Sequence, residues 1–139
     1  MQYWSTSGLR TDDLLAYYYR FSDPPPGPGF SIDGDGGFLL AGYTESSAAA
    51  GGDVSEASRG GSDYWAVRID ANGTKVWDKR LGGSGEDICY DVFPASDKSY
   101  FLVGYSDSPA NGDKTASNAG LEDIWAIRLT DSGELWSPP

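Results

Sequence analysis

The feature that most constrains the fold is an internal repeat with a displacement of about 60 residues. The segment 52–70 aligns with the segment 112–130 without a gap. The identical pairs in this alignment are Gly52/Gly112, Asp53/Asp113, Gly60/Gly120, Asp63/Asp123, Trp65/Trp125, Ala66/Ala126 and Arg68/Arg128. Such self-similarity means that one supersecondary unit occurs twice, so the fold must be built by stacking two similar units.

The repeat continues on both sides of this core alignment. GFLLAGYTES at 37–46 corresponds to SYFLVGYSDS at 99–108, and NGTKVW at 72–77 corresponds to SGELW at 132–136. We therefore divide the chain into a first unit, residues 1–80, and a second unit, residues 81–139. The first unit begins with a strand remnant at Trp4 and carries the insert DPPPGPGF at 23–30. Consecutive prolines lack donors and favour extended geometry, so this insert is predicted to be a stiff surface loop.

Alternation of apolar residues predicts β-strands in both units. In 64–69 the bulky residues Trp65, Val67 and Ile69 point to one side, and 124–129 repeats the pattern. The segments 38–43 and 100–105 are apolar on both faces, so we expect them to be covered on both sides.

Turn signals place four strands in each unit. GDGG at 34–37, ANG at 71–73 and DSG at 131–133 are typical of tight turns between strands. The predicted strands are 14–19, 38–44, 64–69 and 75–78 in the first unit, and 88–93, 100–106, 124–129 and 134–136 in the second. The fold class is therefore all-β: two four-stranded antiparallel blades, as in part of a β-propeller.

Composition excludes several functional classes. Asp plus Glu is 21 against 10 for Lys plus Arg, and the net charge of -11 disfavours nucleic acid and anionic membrane surfaces. The single cysteine, Cys89, allows no internal disulfide and no thiolate metal cage. The absence of histidine excludes Ser-His-Asp and Cys-His catalysis. No apolar run is long enough to span a membrane, and the start of the chain shows no export signal.

Catalysis would have to depend on carboxylates. The pairs Asp12-Asp13, Glu86-Asp87 and Glu122-Asp123 invite comparison with glycosidases, which need two carboxylates about 5 to 10 Å apart beside a cleft. However, adjacent residues on a strand point to opposite faces. We therefore predict turn and capping roles for these pairs and no enzyme activity, with a carboxylate hydrolase as the remote alternative.

One segment resembles a cation-binding loop. SIDGDGG at 31–37 places Asp33 and Asp35 in a glycine-rich turn, and oxygen ligands suit calcium. The spacing lacks the glycine and the final glutamate of the helix-loop-helix calcium pattern. A hairpin turn is the preferred interpretation, and a calcium ion at Asp33 and Asp35 is the alternative.

Recurring aromatic and basic residues are assigned structural roles. The five tryptophans offer stacking faces for sugar rings, but recurrence at fixed repeat positions favours core packing of Trp65 and Trp125. Arg68 and Arg128 lie on strand faces that should meet a neighbouring blade, where an unpaired charge is costly. The expected partners of these arginines are Asp63, Asp123, Asp53 or Asp113.

The ordered series DGG-x-L-x-GY, GD, D-x-W-x-x-R, NG and W resembles the tandem propeller-like repeats of large secreted or surface proteins of Bacteroidetes-type bacteria. The resemblance covers about residues 36–136. It implies a β-propeller fold, export to the cell surface or beyond, and no catalytic residues. The chain departs from the pattern in having two units, neither an export signal nor a sorting domain, and the proline-rich insert.

Two functions remain open from the sequence. The first is a non-catalytic structural or interaction module of an exported bacterial protein, used for binding or adhesion. The second is a carbohydrate-binding lectin formed by oligomerised two-blade units. A closed propeller needs about four to eight blades, so we expect the partners to be other blades, in copies of this chain or in a longer protein, beside a glycan or protein ligand.

Because nearly every residue is assigned to strands and turns, the far-UV circular dichroism of the chain should show β structure with negligible helix. The segment 12–21 is the one place where a helical turn competes, since Asp12 could serve as its cap. A helical fraction above about a fifth would contradict the all-β prediction.

Overall fold

A computed structural model describes residues 17–20, 37–46 and 52–139. Within these ranges the chain forms β-strands and no helix, which confirms the all-β prediction. The first sheet contains β1 (Tyr17–Arg20), β2 (Phe38–Thr44), β3 (Asp63–Ile69) and β4 (Lys75–Leu81). The second contains β5 (Asp87–Pro94), β6 (Tyr100–Ser106) and β7 (Asp123–Leu129). Each sheet is an antiparallel meander in chain order.

The observed strands agree closely with the predicted ones, with two differences. Strand β4 continues to Leu81 because Arg80 and Leu81 pair with Trp65 and Tyr64 on β3. The expected fourth strand of the second unit, 134–136, is reduced to a single bridge between Leu129 and Leu135. The second sheet is therefore three-stranded in the described residues. Residues 14–16 and the insert 23–30 lie outside them.

The predicted turns place glycine where the backbone needs a positive φ. Gly73, with φ of 83°, and Gly133, with φ of 82°, occupy equivalent turns of the two units. Only glycine adopts this conformation at little cost. Asp70 stabilises the first turn because its Oδ1 accepts hydrogen bonds from the backbone N–H groups of Asn72 and Thr74. The two units thus reverse direction by the same local chemistry.

The main core lies between the two sheets. The first sheet contributes Leu39, Ala41, Tyr64, Ala66 and Leu81, and the second contributes Cys89, Val92, Tyr100, Leu102, Ile127 and Leu129. All of these side chains are buried. Since burial of apolar area is the main favourable contribution to folding, this layer fixes how the units stack.

Tyr64 makes the most specific contact between the sheets. Its hydroxyl donates a hydrogen bond of 2.8 Å to the backbone oxygen of Trp125, and the two rings pack with centroids 4.9 Å apart. Burial raises the pKa of the Tyr64 hydroxyl far above its ordinary value, so the hydroxyl stays protonated and remains a donor.

The linker between the units is held by backbone contacts. Gly61 N–H donates to Gly85 O over 3.0 Å, and Asp113 N–H donates to Gly82 O over 2.9 Å. In return, Gly82 N–H donates to the carboxylate of Asp113. The linker 82–86 is therefore fixed between a loop of the first unit and a loop of the second.

A second, smaller core covers the other face of the first sheet. Trp65, Val67 and Ile69 are buried there together with Val54. Strand β3 is consequently buried at every residue. The expectation that both faces are covered is thus met by the first sheet. For 100–105 it stays a prediction about partner blades, because Phe101 on the second face is exposed in the described residues.

Replacing Tyr64 by Phe tests the contact between the sheets. The substitution removes the hydroxyl and leaves the carbonyl of Trp125 without its donor, so the free energy of unfolding in urea should fall by about 1 kcal/mol. Tyr90, which is exposed, provides the control: Tyr90→Phe should change stability by less than about half a kcal/mol. Equal effects of the two substitutions would contradict the assigned packing.

Candidate functional site

The candidate site is one face of the second sheet, here called the outer face. In register, Phe101 lies opposite Arg128, Val103 opposite Ala126, and Tyr105 opposite Ile124. Directly paired residues project from the same side of a sheet. The outer face therefore consists of Phe101, Val103, Tyr105, Ile124, Ala126 and Arg128, and all but Arg128 are largely apolar.

The first sheet contains an equivalent face in the same register. Leu39 lies opposite Arg68, Ala41 opposite Ala66, and Tyr43 opposite Tyr64. This is the face that packs against the second unit in the main core. The outer face of the second sheet is therefore equivalent to the face of the first sheet that packs against the second unit.

Equivalent residues of these two faces differ sharply in exposure. Tyr64 is 0 % exposed, whereas Ile124 at the equivalent position is 84 % exposed. Leu39 is 0 % exposed, whereas Phe101 is 38 % exposed. The repeat therefore places large apolar side chains at the same positions in both units, but only the first unit has its face covered.

The apolar surface continues from the outer face onto β5. Phe93 is paired in register with Phe101, and the Tyr90 ring lies 5.7 Å from that of Tyr105. Both Tyr90 and Phe93 are exposed. Contiguous exposed apolar area of this kind marks interaction sites on soluble proteins.

Arg128 forms a polar margin of the outer face. Its Nη2 lies 2.5 Å from Asp97 Oδ2 and its Nε donates to Ser99 Oγ over 2.7 Å. The guanidinium also stacks on the Trp136 ring, 4.0 Å from the centroid. The hydrogen bond from Ser99, followed by that from Arg128, lowers the pKa of Asp97 to about 2, so this carboxylate is ionised at neutral pH.

The structure corrects the partners expected for the repeated arginines. Arg128 pairs with Asp97, and Arg68 Nε lies 3.9 Å from Asp131 Oδ1. The expected partner Asp63 is instead bound by Arg80, with Nε 2.6 Å from Oδ2. Of the other expected partners, Asp113 pairs with Arg59, and the carboxylate of Asp123 accepts from the backbone of Ala119. The backbone oxygen of Asp53 accepts from Lys75.

Arg80 is the buried charge that the sequence interpretation missed. Its side chain and that of Asp63 are both completely buried, and the guanidinium also donates to the backbone oxygens of Thr44 and Ser46. The predicted strand ended at residue 78, three residues before the observed end at Leu81, and so left Arg80 out. Extending the alternation places Arg80 opposite Trp65, on the side of the sheet where Asp63 lies.

Two of the three acidic pairs lie among the described residues, where Asp87 and Asp123 accept hydrogen bonds within loops, as Asp63 does; Asp12-Asp13 lies outside those residues. Asp63 accepts from the backbone N–H of Arg59, and Asp123 accepts from that of Ala119, four residues upstream in each unit. Asp87 is buried and accepts from Gly83 N–H and Ser108 Oγ, both over 2.8 Å. Its neighbour Glu86 is exposed. The two carboxylates of that pair therefore face different environments and do not converge on one cleft.

The described tryptophans contact protein groups. Trp65 is buried and its Nε1 donates to Asp78 over 3.1 Å. Desolvation raises the pKa of Asp78, but hydrogen bonds from Ser55, Lys75 and Trp65 outweigh it and lower the pKa overall. Trp77 donates to the backbone oxygen of Asp131. These contacts use the indoles for packing and hydrogen bonding; Trp4 lies outside the described residues.

Metal and membrane features can be assessed only for part of the chain. The calcium candidates Asp33 and Asp35 lie outside the described residues. Elsewhere, among the residues whose positions are described, no group of three or more carboxylate or thiol side chains is placed to hold a metal ion. Those same residues form no helix long and apolar enough to cross a membrane.

Comparisons with family models and with curated proteins found no similar protein.

The contrast between Arg80 and Arg128 can be measured. Arg80→Met leaves Asp63 buried without its cation, and should lower the free energy of unfolding by about 3 to 5 kcal/mol. Arg128→Met removes a pair that is half exposed at Asp97, and should cost at most about 1 kcal/mol. Urea denaturation followed by tryptophan fluorescence checks both. Similar losses for the two variants would contradict the conclusion that the Arg80–Asp63 pair is buried and the Arg128–Asp97 pair is exposed.

Proposed function

We propose that the chain is a non-catalytic interaction module of an exported bacterial protein, built from two propeller-type units, and that the outer face is its binding surface. One observation carries this proposal: Ile124 is exposed where the equivalent Tyr64 is completely buried. A position that the repeat fills with a large apolar side chain in both units is thus covered in one unit and open in the other.

The chemistry of the outer face suits a protein surface. It is a sheet face with apolar side chains across two strands, extended by Tyr90 and Phe93. Covering one large apolar side chain contributes roughly 1.5 to 3 kcal/mol, so a few such residues can support specific association. The fixed Arg128–Asp97 pair at the margin provides polar contacts of defined direction.

The carboxylates support a non-catalytic role. Asp63 and Asp87 are completely buried, and each accepts hydrogen bonds from backbone N–H groups of its own loop. A general acid or a nucleophile must reach a substrate, whereas these two carboxylates are completely buried and one oxygen of each holds a loop. The location outside the cell is part of the proposal and depends on the resemblance over about 36–136.

The lectin alternative has less support. Sugar binding by aromatic residues requires an accessible ring face. Trp65 is buried, Trp125 packs against Tyr64, and the Trp136 ring is covered on one side by Arg128. The calcium alternative concerns Asp33 and Asp35, for which no geometry is described.

Binding of the dye ANS tests whether the outer face is open. The natural chain should increase ANS fluorescence, and Ile124→Lys should reduce this increase several-fold, because the dye reports exposed apolar surface. Val76 is exposed and apolar but lies on β4 of the first sheet. Val76→Lys is therefore the matched control and should leave the signal nearly unchanged.

Stability measurements separate an open face from a covered one. Ile124→Lys should change the free energy of unfolding by less than about 0.5 kcal/mol, as expected for an exposed position. A loss above about 2 kcal/mol would mean that Ile124 is buried, and would contradict the proposed function. Binding of the chain to a glycan array that is abolished by Trp136→Ala would favour the lectin alternative.

A further inference from the structure

We propose that the occupant of the outer face is a further unit of the same repeat, docked head to tail, whose glycine-containing turn lies against Trp136 and Arg128. This inference rests on the proposed function and specifies its partner. The partner is a sheet whose strand presents Trp-x-apolar-x-apolar on one face and is followed by an Asp-x-Gly turn.

The contact between the two units provides the template. The turn of the second unit lies on Trp77: the indole Nε1 donates to Asp131 O over 3.0 Å, and Arg68 Nε lies 3.9 Å from Asp131 Oδ1. A Cβ added at Gly133 would come within 2.9 Å of the Trp77 ring. The turn can therefore approach the indole only because it carries glycine at this position.

The second unit contains the counterparts of the two residues that contact the turn in the first unit. Trp136 and Arg128 correspond in the repeat to Trp77 and Arg68. They are adjacent, since the guanidinium of Arg128 lies 4.0 Å from the Trp136 ring and Trp136 N–H donates to Arg128 O. Within 17–20, 37–46 and 52–139, no acceptor is bound by the indole nitrogen of Trp136. The Trp136 indole N–H is therefore available as a donor at the position where Trp77 of the first unit donates to the turn at Asp131.

An independent observation comes from a repeated glycine. A Cβ at Gly60 would collide with the backbone oxygen of Gly83, in the linker that leads into the second unit. Gly120 is the equivalent residue, yet a Cβ there would meet no described atom within 4 Å. No described atom would therefore exclude a side chain at position 120, so steric contact within the described chain does not explain why glycine occurs there. The linker of a docked unit would supply that reason.

A second copy of this chain is the weaker occupant. In the template, the face that packs against Tyr64 presents Trp125, Ile127 and Leu129. A second copy would have to present the equivalent residues of its first unit, Trp65, Val67 and Ile69. These are already buried in the smaller core. The complementary face must therefore come from a unit in which it is free.

Leu121 adds a restriction on the partner. It corresponds to Gly61, where a Cβ would collide with the side chain of Glu86. Leu121 is 90 % exposed in the chain. A docked unit therefore needs a residue smaller than glutamate at the position equivalent to Glu86, or a displaced side chain there.

The test is a three-unit chain in which residues 1–136 are followed directly by a copy of 78–139. This junction keeps the repeat in phase, since Trp136 corresponds to Trp77. It also supplies a counterpart of Arg80 for Asp123. Both the natural and the extended chain carry Leu121→Gly, to remove the collision with the appended copy of Glu86, and Ile124→Cys as a reporter of exposure.

The readout is the rate at which the reporter thiol reacts with an aromatic disulfide reagent. Cys89 contributes no background because it is buried and burial raises its pKa to about 12, and its counterpart in the appended copy is replaced by alanine. The reporter should react rapidly in the two-unit chain and on the order of tenfold or more slowly in the extended chain. In the control pair with Val76→Cys, the two chains should react at the same rate.

The outcomes separate the partner from the function. Equal rates at Ile124→Cys in both chains would overturn the proposed partner, whether or not the appended unit folds, and would leave the open face and the proposed function standing. Slow reaction already in a dilute two-unit chain would contradict the proposed function itself. Slow reaction in a concentrated two-unit chain that becomes fast on dilution would identify a second copy as the occupant, which also overturns the proposed partner.

A variant in the turn of the appended unit tests whether that turn lies against Trp136. In the extended chain, alanine in place of the appended glycine that corresponds to Gly133 should restore much of the reaction rate, because its Cβ would meet the Trp136 ring. Because alanine is also strained at the positive φ of this turn, Gly73→Ala, at a turn with φ of 83° in the first unit, is the control for strain and should keep the thiol protected. Restored reactivity in both variants, or in neither, would overturn the proposed contact between the appended turn and Trp136.

Discussion

The structure depends on one interaction, the burial of apolar sheet faces, because both sheets carry apolar side chains on both faces. The first sheet buries both of its faces, in the main core on one side and in the smaller core around Trp65 on the other. Tyr64 fixes the contact with the second sheet because its hydroxyl binds the backbone of Trp125 while its ring packs on the indole. The second sheet has one face in the same core and one that no described element covers.

Burial of polar groups follows from this layered arrangement. Loops that join strands of stacked sheets are drawn into the structure, so their N–H groups need internal acceptors. Asp63, Asp87 and Asp113 supply those acceptors, and Arg80 compensates the charge of Asp63. Of the repeated acidic residues, Asp63, Asp123 and Asp113 therefore have structural roles in closing loops.

Local pattern predicted much of the fold. Strands β2 and β6 have the predicted bounds because their apolar residues are continuous and turns flank them. The turns at Gly73 and Gly133 were predicted from the tripeptides ANG and DSG. Arg80 was missed because a lysine-rich edge strand has weak alternation, and its partner Asp63 is 17 residues away. The repeat could align Ile124 with Tyr64, but only the tertiary arrangement determines which of the two is covered.

The outer face is open where the equivalent face of the first sheet is covered, and hydroxyl-radical footprinting with mass spectrometry can measure this difference. Phe101 and Ile124 should be oxidised in the native chain, while the equivalent Leu39 and Tyr64 should stay protected until the chain unfolds. Equal protection of all four residues in a dilute native sample would contradict the account.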